Sequence, residues 1–337
     1  MEKKINKNFF KDQTLLITGG TGSFGQAFLS YLLLNKFPLK KIVIFSRDEL
    51  KQFEMKKKFS EEKYPNLRFF LGDIRDKERL NSALRDVDIV IHAAALKQVP
   101  TAEYNPIEFI KTNVLGSQNI IEASLFSKVK NVIALSTDKA SSPINLYGAT
   151  KLCSDKLFSS ANNIKGSQKI KFSIVRYGNV MGSRGSVLNN FLDQAKNNKR
   201  LLLTDKRMTR FNINLNECIN LILYGLINSK GGEIFVPKIP SFYIYDLAKA
   251  VCNKSKIIFT GIRPGEKLHE EMISVYDSVN TLEFPNHYII LQNQDLFKNY
   301  SNYKVVTSEF CYRSDTNNIF LDQKQLSNII NKIDLYS

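Results

Sequence analysis

The sequence lacks the long apolar run that a membrane-spanning helix requires. No stretch of the 337-residue chain approaches the roughly 18 consecutive apolar residues needed to cross a bilayer. Residues 1–11 alternate lysines with polar residues and contain no apolar signal-peptide core. We therefore expect a soluble, cytoplasmic protein with no membrane segment.

Cysteine is scarce, and its spacing argues against two kinds of site. The four cysteines are Cys153, Cys218, Cys252 and Cys311, and they form no CxxC pair. Such wide spacing indicates neither a zinc site nor a disulfide framework. We expect no bound metal and predict that the thiols are buried and structural.

Acidic residues are outnumbered by basic ones. The chain has 32 Asp and Glu against 48 Lys and Arg, which gives a formal net charge of +16 at pH 7. The lysines are spread over the whole length instead of forming one arm or block, so we expect no nucleic-acid partner. The excess charge still favours attraction to anionic ligands or to membrane surfaces.

The residues that are present in quantity predict an α/β fold. The chain is 43% hydrophobic, which is enough for a large core. Helix-like stretches separate short β-rich runs at residues 14–18, 41–45, 68–71, 88–92, 131–135 and 171–176. This alternation is typical of a parallel sheet covered by helices. Beyond Gly178 the rhythm loosens, and glycines and prolines punctuate the sequence, which indicates a second lobe.

A glycine-rich turn follows the first predicted strand. Residues 18–25 read TGGTGSFG, a GxxGxxG pattern that leads into an apolar helix. Gly19 permits a tight turn, Gly22 lets the backbone approach a pyrophosphate, and Gly25 lets helix and strand pack closely. Placed between a strand and a helix, the triplet predicts a dinucleotide site and a Rossmann-type, doubly wound parallel sheet with a smaller C-terminal substrate-binding lobe.

The residues after the second predicted strand favour NADP over NAD. An acidic residue commonly accepts a hydrogen bond from the adenosine ribose at this place, whereas this chain has Ser46 and Arg47. Arginine can bind a 2′-phosphate through two hydrogen bonds, and Ser46 can donate another. The adjacent Asp48 leaves NAD as the alternative.

Two further segments are expected at the cofactor. Asp73 and Ile74 follow the third strand, and the alanines of residues 93–95 follow the fourth, where small side chains leave room for the nucleotide. His92 ends a buried strand, so we interpret it as a core histidine.

A Tyr-Lys pair after the fifth strand indicates redox chemistry. Tyr147 and Lys151 are four residues apart at the start of a long predicted helix and share a face. A tyrosine has a reference pKa of about 10 and becomes a usable base only beside cations, here Lys151 and an oxidised nicotinamide ring. We expect Tyr147 to remove a hydroxyl proton from the substrate as hydride departs.

A family resemblance becomes specific at this point. The sequence closely resembles the inverting UDP-N-acetylglucosamine 4,6-dehydratases of pseudaminic acid biosynthesis, within the extended short-chain dehydrogenase/reductase family, from about residue 8 to 328. The segments that carry the resemblance are residues 18–25, 46–49, 93–100, 136–139, 145–151, 177–180, 208–211 and 261–269. The resemblance implies C4 oxidation, loss of water from C5 and C6, and return of the hydride to C6 with inversion at C5. The product that the resemblance implies is UDP-2-acetamido-2,6-dideoxy-4-keto-L-arabino-hexose, and the wider role implied is flagellin glycosylation.

The dipeptide Asp138-Lys139 stands where related sugar dehydratases have an Asp-Glu pair. A C4 ketone acidifies the C5 proton, so elimination needs a base near C5 and an acid near the C6 hydroxyl. We predict Lys139 as the base, which requires a depressed lysine pKa, and Asp138 as the acid, although the two roles can be exchanged. Thr137 is expected to hydrogen-bond the C4 oxygen.

The loop of residues 261–267 offers cations and polar groups for a UDP-sugar. By resemblance, Arg263 binds the diphosphate and Glu266 the ribose, while Asn179, Thr204 and Lys97 also line the substrate site. Arg210 either helps in binding or stabilises the fold. The resemblance further implies a homo-oligomer, with a hexamer as the expected assembly.

Three rival functions share parts of this pattern. A UDP-sugar 4-epimerase needs no acid and base beside C5, so Asp138 and Lys139 argue against it. A retaining 4,6-dehydratase often lacks the tyrosine found at Tyr147. A non-catalytic NADP-binding regulator has no need of Thr137, Tyr147 and Lys151 together.

These patterns and the resemblance together predict two domains and three sets of site residues. Residues 1–180, with elements from 212–236, form the NADP-binding Rossmann domain, and residues 181–337 form mainly the substrate-binding lobe. The catalytic residues are Thr137, Asp138, Lys139, Tyr147 and Lys151. The cofactor-binding residues are Gly19, Thr21, Gly22, Ser23, Phe24, Gly25, Ser46, Arg47, Asp48, Lys51, Asp73, Ile74, Ala93, Ala95, Lys97, Tyr147, Lys151, Tyr177, Gly178, Asn179 and Val180. The substrate-binding residues are Lys97, Ser136, Thr137, Asn179, Thr204, Arg263 and Glu266.

Overall fold

A computed structural model describes residues 5–183, 185–197 and 200–334 of the chain. The strands are β1 (Thr14–Thr18), β2 (Lys41–Ser46), β3 (Leu67–Leu71), β4 (Ile89–His92), β5 (Asn131–Thr137), β6 (Lys171–Tyr177), β7 (Asn179–Val180), β8 (Leu201–Leu203), β9 (Thr209–Ile213), β10 (Ile234–Pro237), β11 (Ser241–Tyr243), β12 (Ile257–Phe259), β13 (Glu271–Ile273), β14 (Thr281–Glu283), β15 (His287–Ile290), β16 (Lys304–Val305) and β17 (Tyr312–Arg313).

The α-helices alternate with these strands in the first half of the chain. They are α1 (Ser23–Leu34), α2 (Glu49–Lys58), α3 (Lys77–Ala83), α4 (Val99–Tyr104), α5 (Pro106–Phe109), α6 (Gly116–Leu125), α7 (Leu146–Ile164), α8 (Val187–Lys196), α9 (Leu215–Asn228), α10 (Ile244–Val251), α11 (Val275–Ser278) and α12 (Gln323–Asp334). A π-helical turn, Ile110–Leu115, joins α5 to α6, and a 3₁₀ turn, Asp138–Ala140, follows β5.

The main sheet is a mixed sheet with a long parallel part. Among the described residues its order is β16-β14-β15-β10-β6-β5-β4-β1-β2-β3, and every neighbouring pair from β10 to β3 is parallel. Strands such as β1 are buried at every position because helices cover both faces. The predicted α/β, Rossmann-type sheet is confirmed.

The chain after residue 180 contributes to this sheet and also builds a separate apolar cluster. Strands β10, β14, β15 and β16 extend the sheet beyond β6. The separate cluster packs α8, α10 and α12 together through Leu188, Phe191, Leu247 and Leu326. The division of the chain at residue 180 stays a prediction.

Two expectations about composition can be compared with the structure. The prediction of buried thiols was correct for Cys218 but wrong for Cys153, which is exposed on α7, and Cys252 and Cys311 are half-buried. Helix α7 buries only one face, and Cys153 lies on the other. Across the described ranges, no helix has both the length and the apolar character needed to cross a membrane.

A buried carboxylate joins α9, β10 and the C-terminal region. Glu233 is fully buried and accepts hydrogen bonds from Ser229 Oγ at 2.8 Å, from the backbone N–H groups of Lys230 and Gly231, and from Tyr300 Oη at 2.5 Å. A buried charge that is fully hydrogen-bonded is tolerated, whereas its donors become unsatisfied when the acceptor is lost.

The Glu233→Gln variant is expected to lower the free energy of unfolding by about 2–4 kcal/mol, because an amide nitrogen then faces N–H and O–H donors. Urea unfolding followed by circular dichroism measures this loss. Tyr300→Phe should cost less, and Tyr276→Phe, at an exposed tyrosine, is the control that should cost nothing measurable. A Glu233→Gln variant as stable as the unsubstituted protein would contradict this role.

Candidate active site

A cavity of about 670 Å³ opens along the edge where β1 to β6 end. All of the predicted catalytic and cofactor-binding residues line it, as do Lys97, Ser136, Thr137 and Asn179 from the predicted substrate set. Thr204, Arg263 and Glu266 lie outside its lining. Further lining residues that were not predicted are Phe45, Gly72, Ala94, Leu96, Gln98, Thr112, Leu135, Ser183, Gly185, Ser186 and Leu215.

The glycine turn of residues 18–25 packs its backbone closely against residues 93–94 and against the start of helix α1. Gly19 has φ +63°, and a Cβ there would lie 2.8 Å from the Cα of Ala94. A Cβ on Gly25 would lie 2.4 Å from the carbonyl oxygen of Gly20. Helix α1 begins at Ser23, so its N-terminus, which favours anions, faces the cavity.

After the end of β2, two cations, Arg47 and Lys51, and one carboxylate, Asp48, line the cavity. Asp48 caps α2 by accepting from Lys51 N at 3.0 Å, and its carboxylate pairs with Lys51 Nζ at 2.6 Å. These hydrogen bonds to Lys51 lower the pKa of Asp48. Arg47 has a 52% exposed side chain, 3.6 Å from Asp73, and the Ser46 hydroxyl accepts from Gln52 Nε2 at 3.0 Å.

His92 is a core histidine, as its position at the end of a buried strand suggested. Its Nδ1 lies 2.9 Å from Thr18 Oγ1, and Thr18 Oγ1 also accepts from the N–H groups of Ala93 and Ala94. Burial, with a smaller contribution from the charge of Lys151, lowers the pKa of His92 to about 3. The ring is therefore neutral at physiological pH and serves to hold the end of β1 against β4.

The 3₁₀ turn after β5 presents Asp138 to the cavity. Its carboxylate is only 1% exposed, and Oδ1 accepts from Thr137 Oγ1 at 2.9 Å and from Lys139 Nζ at 3.1 Å. The other oxygen, Oδ2, meets no hydrogen-bond partner among the described residues. Burial and the negative charge of Glu270 raise the pKa of Asp138, against the opposing effect of Lys139. This carboxyl group is suited to carry a proton.

Lys139 lies between two carboxylates. Its Nζ is 3.1 Å from Asp138 Oδ1 and 2.9 Å from Glu270 Oε1. Burial alone would lower the pKa of Lys139, but the charges of Asp138 and Glu270 outweigh burial and raise it above the usual range. The expectation of a depressed lysine pKa was therefore wrong, because the charge of the adjacent Asp138, together with that of Glu270, outweighs the effect of burial.

Tyr147 and Lys151 both line the cavity from the first turns of α7. Burial raises the pKa of Tyr147 to about 12, while the charge of Lys139 and a hydrogen bond with Thr137 lower it. Lys151 Nζ donates to the carbonyl oxygen of Leu135 at 2.8 Å, and burial lowers the pKa of Lys151. Lys139 is thus the cation that lowers the pKa of Tyr147 most.

Two contacts fix the start of α7. A Cβ on Gly148 would lie 2.3 Å from the carbonyl oxygen of Lys139, so only glycine lets the helix approach the 3₁₀ turn this closely. Asn145 caps the helix by accepting from Gly148 N at 2.8 Å and donates through Nδ2 to Gly265 O at 2.7 Å. The loop of residues 261–267 is therefore bonded to the helix that carries Tyr147.

The predicted substrate residues outside the cavity lie together. Thr204 follows β8, and its carbonyl oxygen accepts from Gly261 N at 3.1 Å. Arg263 is exposed in the same loop, and Glu266 lies 3.8 Å from Arg210. Arg210 donates to the carbonyl oxygens of Thr209, Lys267 and Leu268, which gives it a structural role in holding this loop.

The sequence patterns did not identify two groups of residues at or near the site. Glu270 is one, and no motif spacing distinguishes it from the adjacent Glu271, which instead accepts from Ser141 and Ser142. The other is a buried pair behind the cavity: Arg176 lies 3.1 Å from Asp155 Oδ2, which also accepts from Ser136 Oγ at 2.8 Å. Only the structure shows that Ser136 is engaged in this way.

Comparisons with known proteins agree with this arrangement. Residues 15–292 match the family described as polysaccharide biosynthesis protein. The inverting UDP-N-acetylglucosamine 4,6-dehydratase of Campylobacter jejuni is 51% identical over 332 residues, which covers 96% of this chain and 98% of that protein. The UDP-glucose 4-epimerase of Rickettsia bellii is 45% identical over 303 residues, covering 88% and 87%.

Solved structures give the same fold. Pen from Bacillus thuringiensis superposes with a TM-score of 0.89 at 40% identity, covering 97% of this chain and 99% of that chain. The dTDP-glucose 4,6-dehydratase DesIV of Streptomyces venezuelae, solved with NAD and TYD bound, superposes with a TM-score of 0.68 at 24% identity, covering 76% and 87%. The second likeness supports the fold alone.

The buried His92 makes stability depend on pH. Its pKa is about 3 in the folded chain against an ordinary 6.5, so between these values the unfolded chain binds the proton more readily. The free energy of unfolding should fall as the pH decreases from 6.5 towards 3, by up to about 1.4 kcal/mol per unit from this group. Urea unfolding at several pH values should show a shallower decrease in His92→Asn, which keeps an acceptor for Thr18. Equal slopes would count against this assignment.

Proposed function

The chain belongs to the polysaccharide biosynthesis protein family, and we propose that it is a UDP-N-acetylglucosamine 4,6-dehydratase that inverts the configuration at C5. One observation carries the proposal. The Thr137-Asp138-Lys139 turn faces the same cavity as Tyr147 and Lys151, so the groups for redox chemistry and the groups for elimination adjoin each other. The 51% identity to a dehydratase of this name over nearly the whole chain supports the same conclusion.

The cavity suits a nicotinamide dinucleotide. The glycine turn and the N-terminus of α1 suit a pyrophosphate. Two buried polar atoms without a partner among the described residues, Thr112 Oγ1 and Asn179 Oδ1, belong to residues of the same lining and are available to hydrogen-bond such a cofactor. The chemistry that this cofactor supplies when bound is removal of hydride from C4 and its return to C6.

Tyr147 and Thr137 act on the C4 oxygen of the substrate. Tyr147 takes the hydroxyl proton, for which its pKa must fall from about 12, and the positive charges of Lys139 and of an oxidised nicotinamide ring both act in that direction. Thr137 adjoins Tyr147, and its hydroxyl turns from Asp138 Oδ1, to which it donates in this structure, to donate to the C4 oxygen as its charge develops.

Asp138 and Lys139 perform the elimination. Transfer of one proton from Lys139 Nζ to Asp138 Oδ1, 3.1 Å away, gives a neutral amine and a carboxylic acid without exchange with solvent. Lys139 then takes the C5 proton, and Asp138 protonates the departing C6 hydroxyl, which leaves as water. The raised pKa of Asp138 supports its role as the acid.

The substrate reaches the loop of residues 261–267. Arg263 binds the diphosphate and Glu266 the ribose, and the bond between Asn145 and Gly265 keeps this loop beside the catalytic helix. We also propose a cytoplasmic homo-oligomer whose product enters pseudaminic acid biosynthesis, as the family resemblance implies.

NADP is the proposed cofactor. Arg47 and Lys51 line the adenosine end of the cavity, while Asp48 is occupied with the N-terminus of α2 and with Lys51. An arrangement of two cations around Ser46 fits a 2′-phosphate better than a ribose hydroxyl.

The first test follows UDP-N-acetylglucosamine and the purified protein by proton NMR in deuterated water. We expect a 6-deoxy-4-keto product with deuterium and inverted configuration at C5. Retained configuration would assign the chain to the other dehydratase branch. Appearance of the C4 epimer with C6 unchanged would make it an epimerase, as in the Rickettsia relative.

The cofactor proposal predicts a selective effect of Arg47→Ala. Loss of a charge-assisted contact with phosphate should weaken NADP binding by about 10- to 100-fold and leave NAD binding nearly unchanged. Calorimetric titration with each cofactor measures both. Arg75→Ala is the matched control, because Arg75 pairs with Asp73 and Glu108 and lies outside the cavity lining. Equal weakening of NAD and NADP by Arg47→Ala would argue against a 2′-phosphate contact.

A further inference from the structure

Glu270 is a buried carboxylate from the second half of the chain, and no predicted motif includes it. Its side chain is 2% exposed and its Oε1 lies 2.9 Å from Lys139 Nζ. The backbone around it is fixed, because Glu270 N donates to Ser314 Oγ at 2.9 Å and Ser314 N donates back to Glu270 O at 2.8 Å. The carboxylate is therefore held at a set position beside the cavity.

We propose that Glu270 is a positioning residue for the dehydration, which holds the Lys139 amino group at the cavity and stabilises its protonated form. This inference rests on the proposed function for its catalytic meaning, but the contact with Lys139 can be tested without substrate. A carboxylate at 2.9 Å both orients an ammonium group and favours its charge in a site with little water.

The charges around Lys139 come from four parts of the fold. Asp138 belongs to the same 3₁₀ turn, Tyr147 to α7, Arg210 to β9, and Lys267 to the loop before Glu270. Arg210 Nε is 3.5 Å from Glu270 Oε1, so this cation partly offsets the carboxylate. Glu270 keeps a net effect on Lys139 because its Oε1 lies closer to Lys139 Nζ, at 2.9 Å, than to Arg210 Nε, at 3.5 Å.

The effect of Glu270 belongs to one step of the reaction. When Lys139 takes the C5 proton, the C5–H bond breaks, an N–H bond forms, and the electron pair becomes the C5–C6 double bond as the C6–O bond breaks. The neutral amine turns into an ammonium group in that step. Glu270 lowers the free energy of the ammonium group that forms on Lys139. The aspartate of a Ser-His-Asp triad stabilises the imidazolium of its histidine in the same way.

The test compares Glu270→Gln with Glu271→Gln. Glutamine keeps the size of the side chain and removes the charge, and Glu271 is a neighbouring carboxylate that binds Ser141 and Ser142 instead of Lys139. The pH dependence of Lys139 acetylation by acetic anhydride, read by peptide mass spectrometry, reports when the amine becomes neutral. Lys139 is accessible to the reagent because its side chain is 24% exposed in the cavity.

We expect Glu270→Gln to move the midpoint of Lys139 acetylation to lower pH by about one unit or more, and Glu271→Gln to leave it in place. Unchanged midpoints in both variants would overturn the proposal. If Glu270→Gln does not fold, Glu270→Asp, which withdraws the charge by one methylene group, should move the midpoint in the same direction by less.

The pH profile of kcat/KM for UDP-N-acetylglucosamine separates this inference from the proposed function. With Lys139 as the base, the acidic limb should move to lower pH in Glu270→Gln, because the amine loses its proton more easily. Movement of the alkaline limb instead would support the effect of Glu270 and show that Lys139 acts as an acid. A shifted acetylation midpoint in a protein that does not dehydrate the sugar would support Glu270 and refute the dehydratase.

Discussion

The burial of the parallel strands on both faces is the constraint on which the site depends. Strands such as β1, β4 and the centre of β5 have no exposed face on which to place a polar side chain. Functional groups are therefore confined to the segments where the strands end. Because parallel strands end at the same edge, the glycine turn, Arg47 and Asp138 come to lie along one cavity.

Ionised side chains at and beside this cavity determine where protons are held. Asp138, Lys139 and Glu270 form a row of alternating charges that is largely removed from water. In such surroundings each proton position affects the next, so the acid and the base of an elimination are properties of the group of residues and not of one side chain. Arg210 adds a positive charge and ties the cluster to the loop of residues 261–267.

Local sequence patterns predicted much of this arrangement. The strand-turn-helix context of residues 18–25 and the four-residue spacing of Tyr147 and Lys151 depend on short-range geometry, and both segments lie where the patterns indicated. The contribution of Glu270 to the raised pKa of Lys139 was not predictable, since Glu270 is distant in sequence and has no periodic relation to the turn. The bonds of Arg210 to the backbone of residues 267 and 268, and that of Ser136 to Asp155, were hidden for the same reason. The antiparallel end of the sheet, from β14 to β16, was not predicted because its strands have only two to four residues, too few for a recognisable strand pattern.

The double role of Asn145 has a mechanical consequence. One side chain closes the first turn of α7 and also holds the carbonyl group of Gly265 at 2.7 Å. The loop cannot shift without either breaking this bond or displacing the helix start that carries Tyr147. A ligand that orders the loop therefore also favours the ordered position of Tyr147. Because coupling free energies are reciprocal, an ordered Tyr147 favours the ligand-bound loop to the same extent.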